Sequence, residues 1–232
     1  MPMKHWIILM LLSASISAGA QNHARRDSLR MLQEQLDQAP DNIDLRLQCA
    51  GWKVLLEQWE SAKNDYDQVL RKDPDNVSAL FYRAYVNERL GRYNFARQDY
   101  HNLLRQAPGN FEAQLGLALL NQKDQHYTEA LDGINRLVEQ YPDNAVAYAA
   151  RAGIEAERKM YLLAEYDFTQ AILRDPENNE YVLQRIDVYL LQDKRDQAKR
   201  DLDRLVRKGM SKPALQEFYD RLKQRRTSHA KH

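Results

Sequence analysis

Three arginines, Arg83, Arg151 and Arg185, are each followed sixteen residues later by an aspartate: Asp99, Asp167 and Asp201. A planar guanidinium donates parallel N–H groups, so it suits a carboxylate gripped through both oxygens. Where Leu117 stands in the arginine's place, Gly133 stands in the acid's, so both members are missing together. In one further instance the acid, Asp65, is kept and Cys49 stands opposite. This pattern predicts an ion pair that bridges the two helices of one structural unit or reaches the adjacent unit. An arginine ladder for an anionic ligand is the alternative.

No other arrangement supports a reaction. His23, His101, His126, His229 and His232 show no metal-ligand spacing, and there is no Gly-rich phosphate loop and no Gly-x-Ser-x-Gly elbow. The acids are spread over helix faces, whereas catalysis needs groups converging in one water-poor cleft. The expectation is a non-enzymatic protein with no cofactor and no metal. The single cysteine, Cys49, lies between Leu45 and Val54 in a helical pattern and is expected to be a small buried apolar residue rather than half of an intermolecular disulfide.

The elements that must position these residues are set by a period. Pro40, Pro74, Pro108, Pro142 and Pro176 recur 34 residues apart, with Asn42, Asn76, Asn110, Asn144 and Asn178 two residues after each. A fixed period of that length means one supersecondary unit stacked several times, hence an all-α solenoid. One column is pure alanine (Ala62, Ala96, Ala130, Ala164, Ala198), and another reads Ala50, Ala84, Ala118, Ala152 and Ile186. Small residues at two points per unit let two helices cross closely. A further column is aromatic in four units (Trp59, Tyr93, Tyr127, Tyr161) and Arg195 in the fifth. In the second unit the pattern predicts helices over about 77–90 and 94–106, broken at Gly91-Arg92 and ended by Pro108. The Asn after each proline can cap the next helix.

The period, the alanine columns, the aromatic and the closing Pro-Asp-Asn resemble tetratricopeptide repeats. The resemblance covers units 43–76, 77–110, 111–144, 145–178 and 179–212, the last degenerate, with Met210 in the proline's place. It implies a right-handed α-solenoid of stacked antiparallel helix pairs. Residues 21–42 are then a linker and a capping half-repeat helix, 213–226 a C-terminal capping helix, and 227–232 a disordered basic tail. The resemblance also implies that first helices line a concave groove. The groove residues on which a partner would depend are Phe81, Tyr85, Leu115 and Leu119, with Glu88, Arg89 and Lys123 as a polar rim. Phe81 and Leu115 packing neighbouring units is the competing account. Leu47, Gly51, Phe81 and Tyr85 stand where a carboxylate clamp of this family carries Lys and Asn, so apolar contacts should dominate.

The ends of the chain bear on compartment and partner. Lys4, an apolar run from Trp6 to Leu12 and Ala18-Gly19-Ala20 read as a signal peptide over 1–20, with the mature chain starting at Gln21 and no transmembrane segment after cleavage. Net charge is +1, but residues 188–232 hold thirteen Lys/Arg against six Asp/Glu. An exported chain with a near-neutral body argues against nucleic acid. The function expected is a periplasmic or secreted scaffold for a protein or peptide partner. The alternatives are a homo-oligomer joined through Leu190, Leu191 and the C-terminal helix, or a basic C-terminal region holding anionic glycan or lipid headgroups.

Overall fold

The structure, a computed structural model, describes residues 18–223. The charged and apolar parts of the expected signal peptide and the expected basic tail lie outside the described residues. Among those described there are twelve α-helices and no strand, and no helix is long and apolar enough to cross a membrane. The chain divides into two compact units, 1–108 and 109–232. The first holds α1 (Ala18–Gln38) and the pairs α2 (Ile43–Leu55)/α3 (Trp59–Lys72) and α4 (Val77–Arg89)/α5 (Tyr93–Gln106). The second holds α6 (Phe111–Lys123)/α7 (Tyr127–Gln140), α8 (Ala145–Glu157)/α9 (Tyr161–Arg174) and α10 (Asn179–Leu191)/α11 (Arg195–Arg207). A short 3-10 turn (Lys212–Leu215) and α12 (Gln216–Lys223) close it. The helix α1 spans the half-repeat segment and begins ahead of it.

Each pair starts and turns by the same chemistry. Asn42, Asn76, Asn110, Asn144 and Asn178 sit at the N-cap in extended backbone, each side chain accepting a backbone N–H of the first turn. Between the two helices, Glu57, Gly91, Gln125, Lys159 and Asp193 take φ of 57°, 72°, 62°, 61° and 59°. The next amide then reaches back to a carbonyl of the helix just ended, as in Arg92 to Asn87 and Met160 to Glu155. This left-handed closure satisfies carbonyls that the ended helix leaves open. Only one of the five turns spends a glycine on it.

The pure alanine column is fully buried, and the second small column is buried in every repeat, so paired helices meet backbone to backbone. Equally enclosed is a column of mostly larger apolar residues on the second helices: Val69, Leu103, Leu137, Ala171 and Leu205 are fully buried. Each repeat is also tied to the turn before it. Gln106 Nε2 donates to Asp75 (2.6 Å), Tyr141 Oη to the carbonyl of Gly109 (2.7 Å), Arg174 Nε to that of Pro142 (2.7 Å) and Lys208 Nζ to that of Pro176 (2.5 Å). Lys72 pairs with Asp41 in the same way.

Candidate partner-binding surface

The arginine column proves structural. Arg83 donates Nε and Nη2 to the two oxygens of Asp99 (2.9 and 2.7 Å), and its Nη1 reaches Asp67 on the preceding repeat (2.7 Å). Arg151 holds Asp167 in the same bidentate way (2.5 and 2.9 Å) and reaches back to Asn135 (3.1 Å). Arg185 holds Asp201 (both 2.9 Å) and reaches back to Thr169 Oγ1 (2.9 Å). Both expected geometries therefore occur at once: each guanidinium joins its own second helix to that of the repeat before. With its donors committed to protein groups, the column has no ladder left for an anion.

In three repeats a residue one turn beyond the arginine position completes the crossing, a column with no signal in the sequence. In the first repeat, where Cys49 replaces the arginine, Lys53 Nζ takes Asp65 at 2.5 Å and Arg46 lies 3.6 Å away. In the second, Asn87 donates to Asp99 (3.3 Å). In the fourth it is Glu155, buried beside Asp167. Burial, then the Asp167 charge, push the Glu155 carboxyl up to about 7, against the pull of Arg151. Cys49 is fully buried and unpaired among Leu29 and Leu36, and burial raises its thiol away from the reactive thiolate.

The seven expected groove residues are shared between the two units. On α4, Phe81 is half-buried, edge-on to Tyr82 (5.3 Å between centroids) and Tyr100 (6.0 Å). Tyr85 is 37% exposed. Its ring meets Trp59 edge-on at 6.2 Å, and the Arg89 guanidinium lies 5.1 Å from the Trp59 ring. Phe81 thus serves packing within its unit, while Tyr85, Trp59 and Arg89 form an outward-facing trio. In the sequence Trp59 stands out only as a member of the aromatic column. Glu88 is half-buried on α4.

On α6, Leu115 leans on the core around Ile134 and Leu137, whereas Leu119 is 42% exposed and Lys123 is exposed. Helix α8 runs alongside, joined by Gln122 Nε2 to Glu157 at 2.5 Å. Its matching positions are Ala149, Gly153 and Ala156, and a β-carbon built on Gly153 meets no atom within 4 Å. The result is an exposed leucine beside an open floor of small residues. Leu190 packs on the core of its unit and Leu191 remains partly exposed, while Arg221 pairs with Asp187 at 2.5 Å to seat α12 on α10.

Two family models described as tetratricopeptide repeat match residues 56–100 and 88–154. A tetratricopeptide repeat protein from Parabacteroides merdae superposes with a TM-score of 0.71 at 22% identity, over 88% of this chain and 79% of that one. PilW, a widely conserved type IV pilus biogenesis factor, gives 0.70 at 17% identity, over 80% and 86%. YrrB, a TPR protein with an unusual peptide-binding site, gives 0.53 at 19%, over 74% and 89%. None of the curated proteins matches. At these identities the likeness of the structures is one of fold.

Proposed function

Because this chain belongs to the tetratricopeptide-repeat family, we propose that it is an exported scaffold that holds a segment of another envelope or secreted protein on the first helices of its repeats. The observation that carries the reading is the exposed Leu119 beside the open floor at Gly153. An apolar side chain of a partner fills such a floor at low entropic cost, because the surrounding helices are already rigid. In the other unit, Tyr85 with Trp59 and Arg89 supplies an aromatic anchor bordered by charge, the composition in which binding energy concentrates. The peptide-binding site named for YrrB, on a like fold, agrees with a segment as the ligand. The partner is bound through apolar contacts, since the carboxylate-clamp positions hold Leu47, Gly51, Phe81 and Tyr85.

The test is capture from envelope extract by the purified protein beside Gly153→Leu and Tyr85→Ala variants. Gly153→Leu starts from a β-carbon that meets no atom within 4 Å, so a band retained by the wild type and lost in this variant, with its helical content unchanged, places the partner on the α6–α8 surface. Phe81→Ala is unsuited, because its loss unpacks Tyr82 and Tyr100. Equal retention by all three proteins removes the first helices from consideration. Export is checked independently: envelope-fraction protein should begin at Gln21 on N-terminal sequencing.

A further inference from the structure

The repeats serve as controls for one another, and one of them breaks the pattern on its outer face. On α9, Leu162, Tyr166 and Leu173 fall on a single face at helical spacing and are 70%, 59% and 69% exposed, with Leu163 beside them at 50%. The matching positions on α7 are Thr128, Asp132 and Glu139, and on α11 Asp196, Arg200 and Arg207. A large apolar stripe left in water on one helix, where its neighbours are polar, marks an interaction face.

The flanks say what covers it. Asp132 and Glu139 are exposed and, among the described residues, their side chains make no hydrogen bond or ion pair. The same holds of Arg200 and Arg207. The face therefore reads acidic, apolar, basic from α7 through α9 to α11, with both charged edges unspent. We propose that this is a self-association face, on which a second copy of the chain lays its own α9 parallel to the first about a two-fold axis running along the helix. That rotation exchanges left for right. It sets leucine stripe on leucine stripe, Asp132 against the Arg200 of the other copy, and Glu139 against its Arg207. An antiparallel arrangement would set acid on acid and is disfavoured by the same charges. Arg136, the one cation of α7, meets Arg204 between these two pairs, and Asp196 faces the neutral Thr128, so two opposite-charge pairs stand against one like-charge pair. The interface is isologous, as two-fold contacts require, and it leaves the first-helix surfaces untouched.

Sedimentation equilibrium of the full chain across a concentration series is the test, with circular dichroism to verify the fold of each variant. The wild type should show a monomer–dimer equilibrium that weakens as salt rises. Leu162→Lys with Tyr166→Lys should raise the dissociation constant by roughly tenfold or more. Asp132→Arg/Glu139→Arg and Arg200→Asp/Arg207→Asp should each be monomeric alone and dimerise when mixed, because only the mixture restores opposite edges. A wild type that stays monomeric throughout overturns the proposal and leaves the stripe to a different partner. A dimer indifferent to the α9 lysines overturns it as well. Dimers in which the two charge variants pair no better mixed than alone overturn the parallel arrangement.

Discussion

The first and fourth repeats meet the same problem, a buried aspartate at a helix crossing, with opposite inventories. The first has Cys49 in the arginine's column, and Lys53 and Arg46 share Asp65. The fourth has Arg151, and adds a second acid, Glu155, beside Asp167. What is kept between them is a cation on the aspartate rather than any one side chain. In the fourth repeat one cation faces two carboxyls, and the second carboxyl keeps its proton up to about pH 7.

The strongest way to break this comparison is Arg151→Leu, which leaves Asp167 and Glu155 without a cation. Removing one partner of a buried pair typically costs 3–5 kcal/mol, and about 4 kcal/mol is expected here. Urea denaturation measures it; a loss under about 1 kcal/mol would show that the crossing does not depend on the pair. The proton comes next. Folding raises the Glu155 carboxyl from about 4.5 to about 7. Its contribution is therefore complete below about pH 4.5 and lost as pH rises through about 7, some 3 kcal/mol in all. Stability measured at pH 5 and pH 8 should fall by that order in the wild type and much less in Glu155→Gln. A variant that keeps the full pH dependence assigns it to another group.

Lys53→Met should cost less, about 2 kcal/mol, because Arg46 stays within reach of Asp65. A loss equal to that of Arg151→Leu would erase the distinction between the repeats. The last test sharpens the comparison by a change expected to be the same in both. Glu57 and Lys159 hold φ of 57° and 61° in their turns, and replacing either with glycine should add about 1 kcal/mol. Unequal gains would mean that the two repeats differ beyond the crossing.

Much of this architecture is visible in the residues because its constraints are steric and repeat unchanged. The alanine columns mark the crossings, Asn76 and its equivalents mark helix starts, and the observed Val77–Arg89 and Tyr93–Gln106 lie within a residue of the expected spans. The turns were harder to read, since four of five place Glu, Gln, Lys or Asp where glycine would announce a positive φ. Lys53 and Glu155 were missed for a different reason. They share a column with Asn87, Asn121 and Tyr189, which mixes cation, amide, acid and aromatic, and their role depends on an aspartate twelve residues later in each. Phe81 and Leu115 look alike to Tyr85 and Leu119 in sequence. Which of each pair turns outward is decided by helix rotation of a few tens of degrees, which spacing alone does not specify.

The ties between successive closing turns have a mechanical meaning. Gln106 to Asp75, Tyr141 to Gly109, Arg174 to Pro142 and Lys208 to Pro176 each span 31 or 32 residues. Within a unit, the described residues thus fasten each repeat to the closing turn just before it. Such a structure closes like a zip: order spreads from neighbour to neighbour, no long loop must be gathered first, and folding is fast. Under tension along the chain it yields link by link, giving up length in instalments while the remaining repeats keep their shape.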